Sequence, residues 1–155
     1  MKSALVFLLL FCGLVTSAFG HELSGTWRGP GLWIPNSQVK AVETDTELKV
    51  ALTSSELKIE ECWDYRSLDS QLQTRCELSE YEIRDEKIYL DGQRVGDVYP
   101  FQILVFVGRS QVSEQISLKI SGPEKIRYRY TYVNQDGEAD TRSAELKRPQ
   151  KVSVW

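Results

Sequence analysis

The chain has 155 residues, a formal net charge of −3 and 41% hydrophobic residues. This length supports one hydrophobic core and one domain. The mildly acidic balance gives no electrostatic basis for binding nucleic acid.

The first twenty residues have the pattern of an export signal. Lys2 supplies a positive charge, residues 4–15 form an apolar run, and residues 18–20 (Ala-Phe-Gly) place small residues at a cleavage site. The run is shorter than the ~20 apolar residues that a membrane-spanning helix needs. We therefore expect an exported protein, periplasmic or extracellular, whose residues 1–20 are removed and whose mature chain begins at His21.

Two cysteines remain in the mature chain, because Cys12 lies inside the apolar run of the signal. Cys62 and Cys76 then face an oxidising compartment, where a disulfide is the default state. Closing a loop of ~15 residues stabilises the fold by ~3 kcal/mol in the chain-entropy model. A metal site lacks further ligands, and a single terminal histidine with paired cysteines cannot form a Ser-His-Asp or Cys-His set. We predict one Cys62–Cys76 disulfide, no metal, no cofactor and no enzymatic activity.

Short strands separated by turn signals fill the rest of the chain, without a convincing helix. Asp91-Gly92 is a two-residue hairpin signal, and residues 134–137 (Asn-Gln-Asp-Gly) mark a second turn. Closing a meander of antiparallel strands into a barrel removes its exposed edges. The sequence therefore predicts a single all-β domain over residues 21–155, an antiparallel up-and-down barrel of about eight strands. Its candidate segments, several of which must merge, are Leu23–Arg28, Val39–Glu43, Glu47–Leu52, Leu57–Tyr65, Leu72–Ser79, Tyr81–Arg84, Lys87–Leu90, Arg94–Val98, Phe101–Val107, Gln115–Ile120, Lys125–Val133 and Ala139–Lys147.

Period-two alternation in three segments predicts which side chains point into the barrel. Glu61 falls on an inward face, where an isolated carboxylate is costly unless it is protonated or paired. Arg75, Arg127 and Arg129 are candidate partners, and a functional carboxylate or a strand end in water also fits the position. The predicted inward faces are Leu57, Ile59, Glu61, Trp63 and Tyr65; Ile116, Leu118 and Ile120; and Ile126, Tyr128, Tyr130 and Tyr132.

Two segments conflict with a simple inside-outside pattern. A direct cross-strand disulfide puts Cys76 on the outer face and brings Leu72 and Leu78 outward with it. A bulge, or a disulfide that ties a loop, would avoid this exposure. Phe101–Val107 is apolar on both faces except at Gln102, so a helix, the tail around Trp155 or a partner would have to cover its outer side.

Gly25-Thr26-Trp27 stands at the start of the first strand of the mature chain. This Gly-x-Trp motif resembles the opening of lipocalin-like (calycin) β-barrels, small secreted cups in which the Trp closes one end. The resemblance implies that Trp27 is a structural plug. It also implies that a cation from the last strand packs across the Trp ring, and Arg148 suits that role better than Arg142 because it follows the end of the strand.

Residues 29–36 (Gly-Pro-Gly-Leu-Trp-Ile-Pro-Asn) form a predicted loop with three large apolar side chains, which need a surface to bury against. The loop is either a lid over a ligand mouth or a plug folded onto the domain. Together with the aromatic inward faces it predicts a concave, mostly apolar site for a small hydrophobic or amphipathic molecule. The candidate ligand-binding residues are Trp33, Trp63, Tyr65, Tyr128 and Tyr130.

Two other function classes stay open. Bacterial periplasmic metalloprotease inhibitors resemble the chain in their signal peptide, their Leu-Ser-Gly-x-Trp start (residues 23–27) and their single disulfide, which implies a protein-interaction barrel with a filled core. Residues 21–22 are short for the N-terminal trunk with which those inhibitors enter a protease. The alternating end Val152–Trp155 suggests a small outer-membrane barrel. Two observations argue against it: Leu57–Tyr65 carries charges on both faces, and the predicted strands are shorter than the ~9–11 residues required.

Overall fold

A closed barrel of ten antiparallel strands is the whole architecture of the described chain. The computed structural model describes residues 22–36, 40–66 and 71–149, so the predicted signal, His21 and the tail around Trp155 lie outside it. No helix in these described ranges is long and apolar enough to cross a membrane. The all-β meander is confirmed, with ten strands rather than about eight. The strands are β1 (Gly25–Ile34), β2 (Val42–Leu52), β3 (Glu56–Arg66), β4 (Leu72–Arg84), β5 (Lys87–Leu90), β6 (Gln93–Tyr99), β7 (Gln102–Arg109), β8 (Val112–Gly122), β9 (Lys125–Val133) and β10 (Ala139–Lys147).

Each strand pairs with its neighbour in sequence, and β1 closes the barrel against β10. Two pairs of candidate segments merge: β2 runs through the polar residues 44–46, and β4 runs through Glu80. The Asp91-Gly92 hairpin between β5 and β6 is confirmed, with positive φ at both residues (51° and 78°) as a type I′ turn requires. The Asn134 turn is confirmed as well, since its side-chain oxygen accepts the N–H groups of Asp136 and Glu138, each at 2.9 Å.

The predicted loop at residues 29–36 is wrong, because β1 continues to Ile34 and pairs with both β2 and β10. Its glycines serve close packing rather than a turn. A Cβ added at Gly29 would lie 2.6 Å from the Glu145 carbonyl oxygen, and one at Gly31 would lie 2.7 Å from the Thr44 hydroxyl. Trp33 therefore points inward from a strand, and Leu32 points outward onto a shallow surface groove of about 440 Å³.

Trp27 lies at the end of the barrel where the described chain begins. Its ring is buried, and its Nε1 donates a hydrogen bond to the Leu23 carbonyl at 2.9 Å. The Arg148 guanidinium lies 4.3 Å from the ring centroid and donates to the Glu22 carbonyl at 2.5 Å. This is the cation-over-Trp arrangement that the lipocalin resemblance implies, and Arg142 lies elsewhere. Every strand except β6 supplies buried apolar residues to the core above Trp27, including Leu48, Leu57, Ile88, Ile103, Ile116, Leu118, Ile126 and Leu146.

The predicted Cys62–Cys76 disulfide is confirmed, and it joins directly opposed residues of β3 and β4. Neither the bulge nor the loop disulfide that would keep Leu72 and Leu78 inside is formed. Both leucines instead face outward, 67% and 61% exposed. The inward face of β4 at this level carries Arg75 and Glu77, which flank Cys76 on either side.

Protein purified without reductant is expected to contain no free thiol from Cys62 or Cys76. Alkylation under denaturing conditions, followed by mass spectrometry, measures the thiol count. Replacing both residues by serine should lower the free energy of unfolding by about 3 kcal/mol, because the unfolded chain regains the freedom that the loop removes. Two alkylated thiols per mature chain would contradict the bond.

The prediction that the strands are too short for an outer-membrane barrel is wrong. β2, β3 and β8 each have 11 residues and β4 has 13. The outward charges stand against a lipid-facing wall. Lys49 pairs with Glu60 at 2.8 Å, and Lys58 pairs with Glu80 at 3.0 Å, all on the outer face of β2, β3 and β4. Charged side chains at the middle of a lipid-facing strand are destabilising.

Candidate functional site

Trp33 of β1 and Trp63 and Tyr65 of β3 form a separate buried aromatic cluster. On β1, Trp33 lies six residues beyond Trp27. Trp33 meets Trp63 with ring centroids 6.2 Å apart and meets Tyr65 at 4.9 Å, both edge to face. Because β2 lies between β1 and β3, its small inward residues Thr44 and Thr46 leave room for these rings to meet. The cluster therefore lies about 20 Å from the Trp27 end of the barrel.

Arg142 of β10 occupies the middle of this region and is only 4% exposed. Its guanidinium lies between two rings, 4.0 Å from the centroid of Trp63 and 4.0 Å from that of Tyr130. Its Nη2 donates to Glu77 at 2.6 Å, and its Nε lies 3.3 Å from a Glu61 oxygen. The cation is thus held by two aromatic faces and two carboxylates, which offset the cost of its burial.

Glu61 points into the barrel, as the alternation of β3 predicts, and is buried. Its partner is Arg142 rather than any of the three predicted arginines. Arg127 and Arg129 are exposed on the outer face of β9, whereas Arg75 faces the Trp33 cluster. The Tyr128 hydroxyl donates to the same Glu61 oxygen at 2.8 Å.

Burial raises the pKa of Glu61 to about 7, although the Arg142 charge and the Tyr128 hydrogen bond both act to lower it. Burial also raises the pKa of Tyr128 well above its usual value. Glu61 therefore changes its protonation state near neutral pH, because the effect of burial on its pKa exceeds that of the Arg142 charge.

A third carboxylate and a second arginine lie above this layer. Asp140 accepts a hydrogen bond from Trp33 Nε1 at 3.0 Å, and burial raises the pKa of Asp140. The Arg75 guanidinium lies 5.4 Å from the Trp33 ring centroid and 5.6 Å from that of Tyr65. Arg75 is exposed, so it covers the aromatic cluster from the solvent side.

Three buried polar atoms of this region have no hydrogen-bond partner within the part of the chain that the structure describes. They are Trp63 Nε1, Asp140 Oδ1 and Arg142 Nε, the last of which still has the Glu61 charge beside it. An unmet buried donor or acceptor costs about 1–3 kcal/mol, so proteins rarely keep such atoms without a role. Here they cluster at one end of the barrel, between aromatic faces.

The structure brings together all five predicted ligand-binding residues. Trp33, Trp63 and Tyr65 form the aromatic cluster, Tyr130 stacks on Arg142, and Tyr128 lies deeper against Glu61.

Sequence reasoning missed Arg142, Glu77, Asp140 and the position of Arg75. The alternation of β10 carries a signal for two of them, because Asp140 and Arg142 share the inward face of Ala144 and Leu146.

No protein-family model and no curated protein matches the chain. Among solved structures, the S-type phycobiliprotein lyase CPES from Guillardia theta is similar with a TM-score of 0.61 and 9% identity, over 84% of this chain and 90% of that one. The structure of EF1p2_mFAP2b bound to DFHBI is similar with a TM-score of 0.51 and 12% identity, over 84% of this chain and 97% of that one. At these identities the likeness shows a shared fold, the small antiparallel β-barrel.

Proposed function

We propose that this chain is an exported, lipocalin-like barrel that binds a small hydrophobic or amphipathic molecule. The site lies at the end bearing Trp33, Trp63, Tyr65 and Tyr130, opposite the Trp27 plug. The observation that carries the proposal is a set of converging aromatic faces beside buried polar atoms that lack protein partners. Ligand sites in proteins combine such apolar walls with a few placed polar groups.

The barrel fold and the export pattern support this function from two directions. EF1p2_mFAP2b, a barrel of similar fold, is bound to DFHBI. Residues 1–20 have the charge, the apolar run and the small residues of a signal peptide, and a disulfide such as Cys62–Cys76 persists in oxidising compartments. The aromatic side chains fill the barrel at this level, so a ligand enters by displacing the exposed Arg75.

Titration of environment-sensitive fatty-acid and retinoid probes is expected to show saturable binding to the mature chain. The double variant Trp33→Ala with Tyr130→Ala removes one ring of the cluster and one that holds Arg142, so the affinity should fall at least about tenfold, as for lost binding-site anchors. Probe fluorescence measures the affinity, and circular dichroism checks that the barrel stays folded.

A protein-interaction barrel is the second candidate, favoured by the exposed aromatic residues Tyr99, Phe101 and Phe106 on and beside β6 and β7. The double variant Tyr99→Ala with Phe106→Ala is therefore the matched control for Trp33→Ala with Tyr130→Ala, because it removes two aromatic rings from the outer face of β6 and β7. Probe binding that this control leaves intact supports the barrel-end site. An absence of saturable binding across hydrophobic probes of every charge, anionic, neutral and cationic, would contradict the proposed function and favour an interaction through the outer face of β6 and β7.

A further inference from the structure

Arg75 is the one arginine of the site that can leave it at low cost. It lies directly opposite Trp63 in the β3–β4 register, and its guanidinium covers the rings of Trp33 and Tyr65. It is exposed, whereas Arg142 is buried between two rings and two carboxylates. The stem of an exposed arginine is flexible, so its head can swing into water without breaking a buried pair.

The charge left behind by Arg75 is negative. Arg142 is already matched by Glu61 and Glu77, which leaves Asp140 as a third carboxylate next to Trp33. Aromatic faces attract cations through the negative potential of the ring face, and a nearby carboxylate adds to that attraction. With Arg75 displaced, the end of the barrel around Trp33 and Asp140 attracts a cation rather than an anion.

The buried polar atoms without a hydrogen-bond partner indicate which kind of cation fits. Asp140 uses one oxygen for Trp33 Nε1, and its buried Oδ1 has no donor within the described chain. An ammonium group with N–H donors would supply it, and a quaternary ammonium would not. Trp63 is 2% exposed and its Nε1 lacks an acceptor, which an oxygen or nitrogen on the body of the ligand would provide.

We infer that the ligand of this site is a protonated primary or secondary amine on an apolar or aromatic body, and that Arg75 occupies the place of its ammonium group in the free protein. The inference rests on the proposed function and names its ligand class. The amine displaces Arg75 from Trp33 and Tyr65, and it donates to Asp140 Oδ1. A hydroxyl, ether or ring nitrogen on its body then accepts from Trp63 Nε1.

Isothermal titration calorimetry of the mature chain with three probes of matched size tests the charge preference. 2-Phenylethylamine carries the ammonium, 2-phenylethanol is neutral and 3-phenylpropionate is the anion. We expect the amine to bind at least about tenfold more tightly than either of the others at low salt, as a charge-assisted hydrogen bond and a cation–π contact together allow. N,N,N-Trimethyl-2-phenylethylammonium should bind more weakly than the amine, because it has no N–H for Asp140.

Two variants test the residues. Asp140→Asn should abolish the preference for the amine, and Arg75→Ala should tighten amine binding several-fold because the competing cation is gone. Arg84→Ala is the matched control, since Arg84 is an exposed arginine stacked on Tyr89 at 5.0 Å, outside the site. It should change nothing. Circular dichroism checks each variant, and the exposed position of Arg75 keeps the second test valid even if Asp140→Asn fails to fold.

The outcomes separate this inference from the proposed function. Tightest binding of 3-phenylpropionate, weakened by Arg75→Ala, would overturn the amine inference and leave a ligand-binding barrel with an anionic ligand. Equal binding of all three probes, unaffected by Asp140→Asn, would overturn it as well. If these probes and the fatty-acid and retinoid probes all fail to saturate, the proposed function fails with it.

Discussion

Trp27→Ala is expected to lower the free energy of unfolding by about 3–5 kcal/mol, the range for truncating a large aromatic side chain in a core. The ring is 2% exposed. The substitution removes its packing, the hydrogen bond to the Leu23 carbonyl and the surface on which Arg148 rests. Urea-induced unfolding followed by circular dichroism gives the difference between the variant and the parent.

Phe106→Ala is the control for this prediction, because it truncates an aromatic residue that is 58% exposed. Its effect should stay within about 0.5 kcal/mol, as for most surface substitutions. A Trp27→Ala protein that is as stable as the parent but binds the fluorescent probes less tightly would make Trp27 a ligand contact instead of a plug.

The fold could be predicted from local patterns because a small barrel is built from neighbours in sequence. Alternation assigns the inward faces of β3, β8 and β9, and Asp91-Gly92 supplies the positive φ angles of a type I′ turn. Once each strand pairs with the next one, closure follows from the cost of two exposed edges. The strand count does not follow from the alternation in the same way, because the polar residues 44–46 interrupt the apolar pattern within β2.

Two parts of the pattern misled because a residue type has more than one physical use. Gly29 and Gly31 look like turn residues, but they stand where neighbouring atoms leave no space for a Cβ. Leu72 and Leu78 look like core residues, but the register that pairs Cys62 with Cys76 puts them on the outer face. In both cases the strand register decides where the residue lies, and the register cannot be read from the propensity or hydropathy of single residues.

The candidate site was only half predictable for a related reason. Its aromatic residues follow from alternation, whereas the contact of Glu61 with Arg142 joins β3 to β10 across the interior. These strands are separated by β2 and β1 in the barrel, so no local pairing rule links them. The sequence shows that a buried Glu61 needs a cation, and the tertiary structure decides which of several arginines reaches it.

Arg142→Met is expected to destabilise the protein by about 3–5 kcal/mol at pH 8, the range for removing one partner of a buried ion pair. Methionine keeps an apolar stem but removes the guanidinium, so the contacts with Trp63 and Tyr130 are lost together with the charge. Glu61 then stays buried without its cation, while Glu77 is half exposed and can turn towards water. Urea unfolding over a range of pH values measures the effect.

The stability lost in Arg142→Met should become smaller as the pH falls. The direction of this pH dependence follows from the titration of Glu61. Its pKa is raised to about 7 in the folded parent from its ordinary value of 4.5, so the folded state binds this proton more tightly than the unfolded state. Stability from this group is therefore fully present below about pH 4.5 and is lost as the pH rises through about 7, by about 3 kcal/mol. Removing Arg142 takes away a charge that lowers this pKa, so the decline becomes larger and extends to higher pH.

Glu61→Gln separates the charge of Glu61 from the packing around it. In the parent it should flatten most of the decline between about pH 4.5 and 7, leaving the smaller contribution of Asp140, whose pKa is also raised. Combined with Arg142→Met it should restore most of the stability lost at pH 8, because neither buried charge remains unpaired. Glu82→Gln, on the exposed outer face of β4, serves as the control for a lost carboxylate. If the double variant is no more stable than Arg142→Met alone, the guanidinium stabilises the barrel through its two aromatic contacts and Glu77, and its pairing with Glu61 contributes little.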